Sequence, residues 1–141
     1  VRDDWPREKA LIDALATRYE WPVTEETPRL ETRYAEKMSA VASTFADDAD
    51  VQALYAEALM CLSPWDLYDK QDGAATPVWF SADKVLKPIG ERIKAALDRG
   101  LALAPSHGWL CHLKIHLCEM GRAGDFDWHA AEALRCTDAT A

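Results

Sequence analysis

The amino-acid composition of this 141-residue chain favours helices along its whole length. Ala occurs 24 times and Leu 15 times, against six Val and four Ile. Ala and Leu are strong helix formers, whereas Val and Ile favour strands. Apolar residues also recur at helical spacing, for example Leu30, Tyr34, Met38, Val41 and Phe45. We therefore expect one all-α domain over residues 1–141.

The net charge of −8 restricts the classes of partner. A surface of this sign repels nucleic acids and anionic membranes, so neither is expected to bind. No apolar run approaches the roughly 20 residues that span a bilayer. The four cysteines, Cys61, Cys111, Cys118 and Cys136, form no CxxC motif and are expected to be reduced thiols. No signal-peptide pattern follows Val1, which favours the cytoplasm as the default localisation.

Prolines and acidic turns divide the chain into six expected helices. The first carries Leu11, Ile12, Leu15 and Tyr19 as its apolar face and ends at Trp21-Pro22, and the second begins at Thr27-Pro28. The third is capped by Asp50 after the acidic turn 47–50 and ends at Ser63-Pro64. The last three span Pro88 to Ala104, Ser106 to Met120, and Asp125 to Arg135.

Residues 64–87 are too many and too aromatic for a simple connector between the third and fourth helices. Two roles are open for the aromatic side chains of this loop. They line a small-molecule pocket, or they attach a long loop to the helices. In the first role the pocket-lining residues are Trp65, Asp66, Tyr68 and Trp79.

A helix-turn-helix pattern occurs twice in the chain. Residues 95–105 are an Ala- and Leu-rich helix end with Pro105, followed by a helix that begins near Trp109 and a turn with Gly121 and Gly124. Residues 41–56 repeat the pattern about 57 residues upstream, which is one 34-residue repeat plus an insertion of about 23 residues. This arrangement resembles the tetratricopeptide repeat.

The resemblance to the tetratricopeptide repeat implies both a fold and a role. The implied fold is a set of antiparallel helix pairs stacked as a short right-handed solenoid, with one long aromatic loop insertion. The implied role is a scaffold that binds a protein or peptide, further repeats or another subunit. Segments 53–60, 64–67 and 112–116 also resemble parts of larger bacterial tetratricopeptide-repeat proteins without an assigned activity, over roughly residues 7–120.

The expected fifth helix holds the main candidate for chemistry. At 100° per residue, Lys114 falls between two apolar arcs, and the face formed by His112, His116 and Glu119 falls almost opposite Lys114. The first arc contains Leu110, Leu113, Leu117 and Met120, and the second contains Cys111, Ile115 and Cys118. If Lys114 points to water, the His/Glu face points into the protein.

The spacing HxxxHxxE matches that of metal ligands on one helix face. His112 and His116 direct their ring nitrogens to one point, and Glu119 extends the face by one turn. Glu57 is the expected fourth ligand because it interrupts an apolar Ala/Leu helix, and Asp66 is the second candidate. Such a set suits a divalent transition metal, namely Zn, Fe, Mn or Cu.

Three interpretations of this face remain open. In the first, the chain is a metal-binding domain or metalloenzyme whose site lies under the aromatic loop. In the second, the histidines simply hydrogen-bond Glu119 or another polar group in the core of a scaffold. In the third, the same side chains act as acid and base without a metal. A zinc-protease motif is excluded, because the residue after His112 is Leu113 and not the glutamate of HExxH.

Overall fold

The computed structural model describes residues 5–22, 25, 27–70, 84–119 and 121. These residues form five helices and a two-stranded antiparallel sheet, which confirms a mainly helical fold. The expected sixth helix and the predicted pocket residue Trp79 lie outside the described residues. The elements are α1 (Pro6–Ala16), α2 (Thr27–Thr44), α3 (Ala49–Leu62), β1 (Tyr68–Lys70), β2 (Lys84–Leu86), α4 (Pro88–Leu103) and α5 (Gly108–Glu119).

The ends of α3 and α4 follow from local sequence signals. The cap of α3 is Asp48, whose Oδ1 accepts a hydrogen bond from the Val51 backbone N–H at 3.0 Å. The expected cap, Asp50, lies instead in the first turn of the helix, and its carboxylate contacts His107 Nε2 at 2.8 Å. Pro88 begins α4, where its missing N–H leaves no backbone hydrogen bond unmade.

The helices pack mainly on their neighbours in the chain, with α3 at the centre. α1 contacts α2, α2 contacts α3, and α3 contacts both α4 and α5. The buried positions of α3 include Ala53, Ala56 and Ala58, whose small side chains allow close approach of the adjacent helices. The largest fully buried apolar side chains are Met38, Leu59, Ile93, Leu97, Leu110 and Leu117. Leu30, Tyr34, Met38 and Val41 are also buried, so most of the apolar face predicted for α2 lies in the core.

The apolar face predicted for the first helix is only partly covered. The helix ends at Ala16 and not at the expected Trp21-Pro22, so the exposed Tyr19 lies beyond it. Leu11 packs against the core, but Ile12 and Leu15 are exposed, and the buried residue of α1 is Ala14. The physical reason is the position of α1 at the end of the described stack, where α2 is its main neighbour. A helix with one neighbour buries a narrow face, and apolar periodicity alone does not reveal how wide that face is.

The long segment between α3 and α4 is tied to the helices at both ends. β1 and β2 pair with Tyr68 opposite Leu86, and the Lys87 N–H donates to the Leu67 carbonyl oxygen at 2.9 Å. The buried hydroxyl of Tyr68 donates to the Leu117 carbonyl oxygen of α5 at 3.0 Å. These contacts position the residues that follow α3 beside α5.

Gly90, in the first turn of α4, allows close approach of the Leu67 backbone. A Cβ at Gly90 would lie 2.9 Å from the Leu67 carbonyl oxygen and 2.7 Å from Leu86 Cδ2. The carbonyl is held by its hydrogen bond from Lys87, so relief requires a backbone shift. We expect Gly90→Ala to lower the free energy of unfolding by about 1 to 3 kcal/mol, measured by urea denaturation.

Gly100→Ala is the matched control for this prediction. A Cβ at Gly100 would meet the side-chain ends of Leu110, with Cδ1 at 2.7 Å and Cδ2 at 2.8 Å, and would lie 3.2 Å from Gln52 Cβ. None of these atoms belongs to the backbone. Side-chain ends adjust more readily than backbone, and Ala favours the helix by about 1 kcal/mol over Gly. A larger loss of stability for Gly100→Ala than for Gly90→Ala would contradict the expectation.

Candidate functional site

The faces of α5 are oriented opposite to the arrangement expected from sequence, in which Lys114 points to water and the His/Glu face points into the protein. Lys114 is 0% exposed, and its Nζ lies 2.6 Å from Asp98 Oδ1 on α4. Asp98 also pairs with Lys94 Nζ at 2.6 Å. Burial is the largest influence on Asp98 and raises its pKa, but the hydrogen bonds from Lys114 and Lys94 outweigh it and hold the pKa below its usual range. Lys114 thus lies in the buried face of α5, with the apolar arcs on either side of it.

The His/Glu face consequently lies at the surface. His112 and Glu119 are exposed and His116 is partly exposed. His116 Nδ1 lies 2.7 Å from Glu119 Oε1, and His116 Nε2 lies 3.0 Å from His112 Nε2. Glu119 therefore contacts the ring nitrogen of His116 that is turned away from His112. In this geometry the Glu119 carboxylate orients the His116 ring. It is not placed to bind the same metal ion as the Nε2 atoms of His112 and His116.

The described part of the chain contains no group of three or more His, Cys, Asp or Glu side chains arranged to hold a metal ion. The predicted fourth ligand, Glu57, lies on the wall of a cavity that His116 also lines. The second candidate, Asp66, forms an ion pair with Lys87 Nζ at 2.6 Å. What the structure brings together is a pair of histidine nitrogens at the surface.

Four aromatic rings form a continuous row along this surface, here called the ring row. Trp109 stacks on His112 with centroids 4.9 Å apart and planes 9° from parallel. His112 meets His116 edge-on at 4.5 Å, and His116 meets Trp65 edge-on at 6.0 Å. Trp109 and Trp65 are both exposed. The row therefore presents aromatic surface to solvent from α5 to the turn after α3.

Trp65 is held in an unusual backbone conformation by this turn. The Asp66 N–H donates to the Ser63 carbonyl oxygen at 3.2 Å, and Ser63 Oγ donates to the Asp66 carbonyl oxygen at 2.8 Å. Pro64 and Trp65 are the central residues, and Trp65 has a φ of 60°. Such a φ suits Gly at the third position of a turn and is strained for a bulky residue. The turn keeps the indole 58% exposed.

An open cavity of about 430 Å³ lies between this turn and the helices. Its apolar wall includes Met60, Pro64 and Leu67. Its polar and aromatic lining is Arg18, Glu31, Glu57, Cys61, Ser63, Trp65 and His116. The volume lies within the range of about 300 to 1,000 Å³ that is usual for ligand pockets.

An ion pair organises one side of the cavity. Arg18 Nε donates to Glu31 Oε1 at 3.1 Å, and the guanidinium lies over the Tyr34 ring at 5.2 Å. Arg18 Nη2 also approaches Cys61 Sγ at 3.9 Å. Burial raises the pKa of the Cys61 thiol despite this cation. The thiol is therefore protonated at neutral pH.

The cavity contains only part of the pocket predicted from sequence. Trp65 lines it, whereas Tyr68 is buried and bonded to Leu117. Sequence reasoning missed Arg18 and Glu31, which reach the cavity from the residues after α1 and from α2. A signal was present for Glu31, because it follows the buried Leu30 and so lies at the edge of the core face of α2.

Comparison of the chain with protein-family models, with curated proteins and with solved structures finds no match. Among the described residues, none of the helices combines the length and the apolar character needed to cross a bilayer.

Proposed function

We propose that the protein is a helical scaffold of the tetratricopeptide-like type that docks a protein or peptide partner through the cavity beside Trp65. The packing of each helix on its neighbours in the chain is the contact pattern of a repeat stack and supports this type of scaffold. The long insertion would then supply the wall that an ordinary repeat lacks.

The observation that carries the proposal is the strained, exposed Trp65 at the edge of an open cavity. A bulky residue at positive φ costs roughly 1 to 3 kcal/mol, and such strain is concentrated at binding sites. An exposed indole is also the side chain most enriched among the residues that dominate binding energy at protein interfaces. Here both features coincide at one residue.

Selection of binders from a random peptide library tests the proposal. We expect selected peptides to bind the wild-type protein and to bind Met60→Trp at least about tenfold more weakly, because the larger side chain fills the cavity. Ile12→Trp is the matched control, since Ile12 is exposed on α1 and is absent from the cavity lining. Equal affinity for Met60→Trp and wild type, with both variants folded by circular dichroism, would overturn the cavity as docking site.

A second candidate function is metal binding by His112 and His116. The favouring observation is the 3.0 Å separation of their Nε2 atoms, with Glu119 on Nδ1 of His116. A carboxylate on the distal nitrogen is the usual way in which proteins orient a metal-binding histidine. Two histidines would leave the remaining coordination positions to water or to a partner side chain.

The metal candidate predicts a specific set of variant affinities. By titration calorimetry of untagged protein with Ni²⁺, we expect His112→Ala to abolish binding and Glu119→Gln to weaken it about tenfold, as for other orienting carboxylates. His107→Ala is the control, because His107 contacts Asp50 away from the pair. Equal Ni²⁺ affinity in wild type and His112→Ala would eliminate this candidate.

A further inference from the structure

The charges on the cavity wall do not balance. Arg18 is paired with Glu31 through Oε1, which leaves Glu57 as a second carboxylate on the same wall. Glu31 Oε2 is itself buried and has no hydrogen-bond donor in the described part of the chain. A buried carboxylate oxygen without a donor is unfavourable. Glu31 Oε2 can therefore accept a hydrogen bond that none of the described residues donates.

The carboxylates of Glu31 and Glu57 both influence the thiol of Cys61 electrostatically. Burial has the largest effect on the Cys61 thiol and raises its pKa. The negative charges of Glu31 and Glu57 also raise this pKa, whereas the positive charge of Arg18 lowers it. Cys61 thus lies within electrostatic reach of two anions and one cation. The cavity wall thus holds two carboxylates and one guanidinium, and this excess of negative charge favours a positively charged occupant.

The remaining lining suits an alkyl chain that ends in this charge. Met60 and Leu67 supply apolar surface, and the indole of Trp65 adds an aromatic face. Lysine side chains bury their methylene stems on such surface while the ammonium binds carboxylates or aromatic faces. The net charge of −8 would in addition attract a basic partner over long range.

We propose that the cavity receives a lysine side chain from a basic segment of the partner, with the ammonium bound by Glu31 and Glu57 and the stem packed on Met60, Leu67 and Trp65. This inference rests on the proposed function, since it names the occupant of the same docking cavity.

Disulfide exchange at Cys61 tests the charge preference directly. Cys111 and Cys118 are buried, and Cys136→Ser removes the remaining thiol. The protein is equilibrated with cystamine, 2-hydroxyethyl disulfide or 3,3′-dithiodipropionate, and each disulfide is supplied together with its own thiol. The Cys61 thiolate attacks the reagent disulfide, forms a mixed disulfide and releases one reagent thiolate, so no oxidant is consumed. Mass spectrometry gives the fraction modified. We expect the ammonium adduct to be favoured about tenfold over the hydroxyl adduct, as for a charge-assisted hydrogen bond.

Two variants separate a local effect from the general negative charge. Glu57→Gln is expected to lose most of the preference for the ammonium adduct. Glu91→Gln, at an exposed position in the first turn of α4, changes the net charge equally and is expected to keep it. An equal loss in both variants would overturn the lysine proposal, because the preference would then reflect net charge alone.

The possible results distinguish failure of the lysine proposal from failure of the proposal that the cavity is a docking site. Equal amounts of hydroxyl and ammonium adduct would overturn the lysine proposal and leave the cavity as an open docking site. Equal affinity of the selected peptides for Met60→Trp and wild type would remove the docking cavity, and the lysine proposal would fail with it. In the selected peptides, Lys→norleucine is expected to weaken binding to wild type about tenfold and to have little effect on binding to Glu57→Gln.

Discussion

Asp98→Asn is expected to lower the free energy of unfolding by about 3 kcal/mol, because it removes the negative charge of Asp98 from the buried ammonium of Lys114. Breaking a buried ion pair costs roughly 3 to 5 kcal/mol. The lower end applies here, since Asp98 is 44% exposed and water partly screens the pair. Urea denaturation followed by circular dichroism measures the loss.

Lys114→Met is the matched control for Asp98→Asn. It removes the buried charge together with the need for a partner, and such replacements are often neutral or stabilising. Lys94→Gln removes the second partner of Asp98, and we expect a loss below about 1 kcal/mol because that pair is more exposed. A loss of stability in Lys114→Met as large as that in Asp98→Asn would contradict the explanation by a lost ion pair between Asp98 and the buried Lys114.

The same ion pair predicts how stability changes with pH. The pKa of Asp98 is lower in the folded protein than in the unfolded chain. Its contribution is therefore fully present above the unfolded pKa of about 3.9 and is lost as the pH falls through the folded pKa. Wild-type protein is expected to lose stability below about pH 4 more steeply than Asp98→Asn, measured by thermal unfolding at a series of pH values.

The sequence predicts the helices well because their signals are local. Prolines and apolar spacing act within a few residues, and they indicate where helices begin and which residues share a face. The acidic turn also marks the start of α3, although its cap is Asp48 and not Asp50. The grouping of α5 into two apolar arcs around Lys114 is reproduced by the buried residues. Its orientation is opposite because Lys114 meets Asp98, a partner 16 residues away on another helix.

The cavity is harder to predict because its wall comes from distant parts of the chain. Arg18, Glu31, Glu57 and His116 meet only after the helices pack, and no short motif links them. Trp65 is predicted as a pocket residue from its aromatic surroundings alone. Its positive φ is not readable from the sequence, since Ser63-Pro64-Trp65-Asp66 lacks the Gly that normally marks this turn.

Trp65→Gly is expected to weaken docking strongly without destabilising the fold. Gly adopts a φ of 60° freely, so the substitution removes a strain of about 1 to 2 kcal/mol. The indole contributes little packing to the fold, because it is 58% exposed and meets His116 edge-on. We therefore expect the free energy of unfolding to stay within about 1 kcal/mol of wild type or to increase.

Binding of the selected peptides should respond in the opposite direction. Loss of an interface tryptophan commonly costs about 2 kcal/mol or more, so the affinity of Trp65→Gly is expected to fall at least about 30-fold. Trp5→Ala is the control, because Trp5 is 49% exposed and is absent from the cavity lining. The two roles considered for the loop aromatics are thereby separated at Trp65. A docking residue loses binding and keeps stability, whereas a residue that attaches the loop to the helices loses stability and keeps binding.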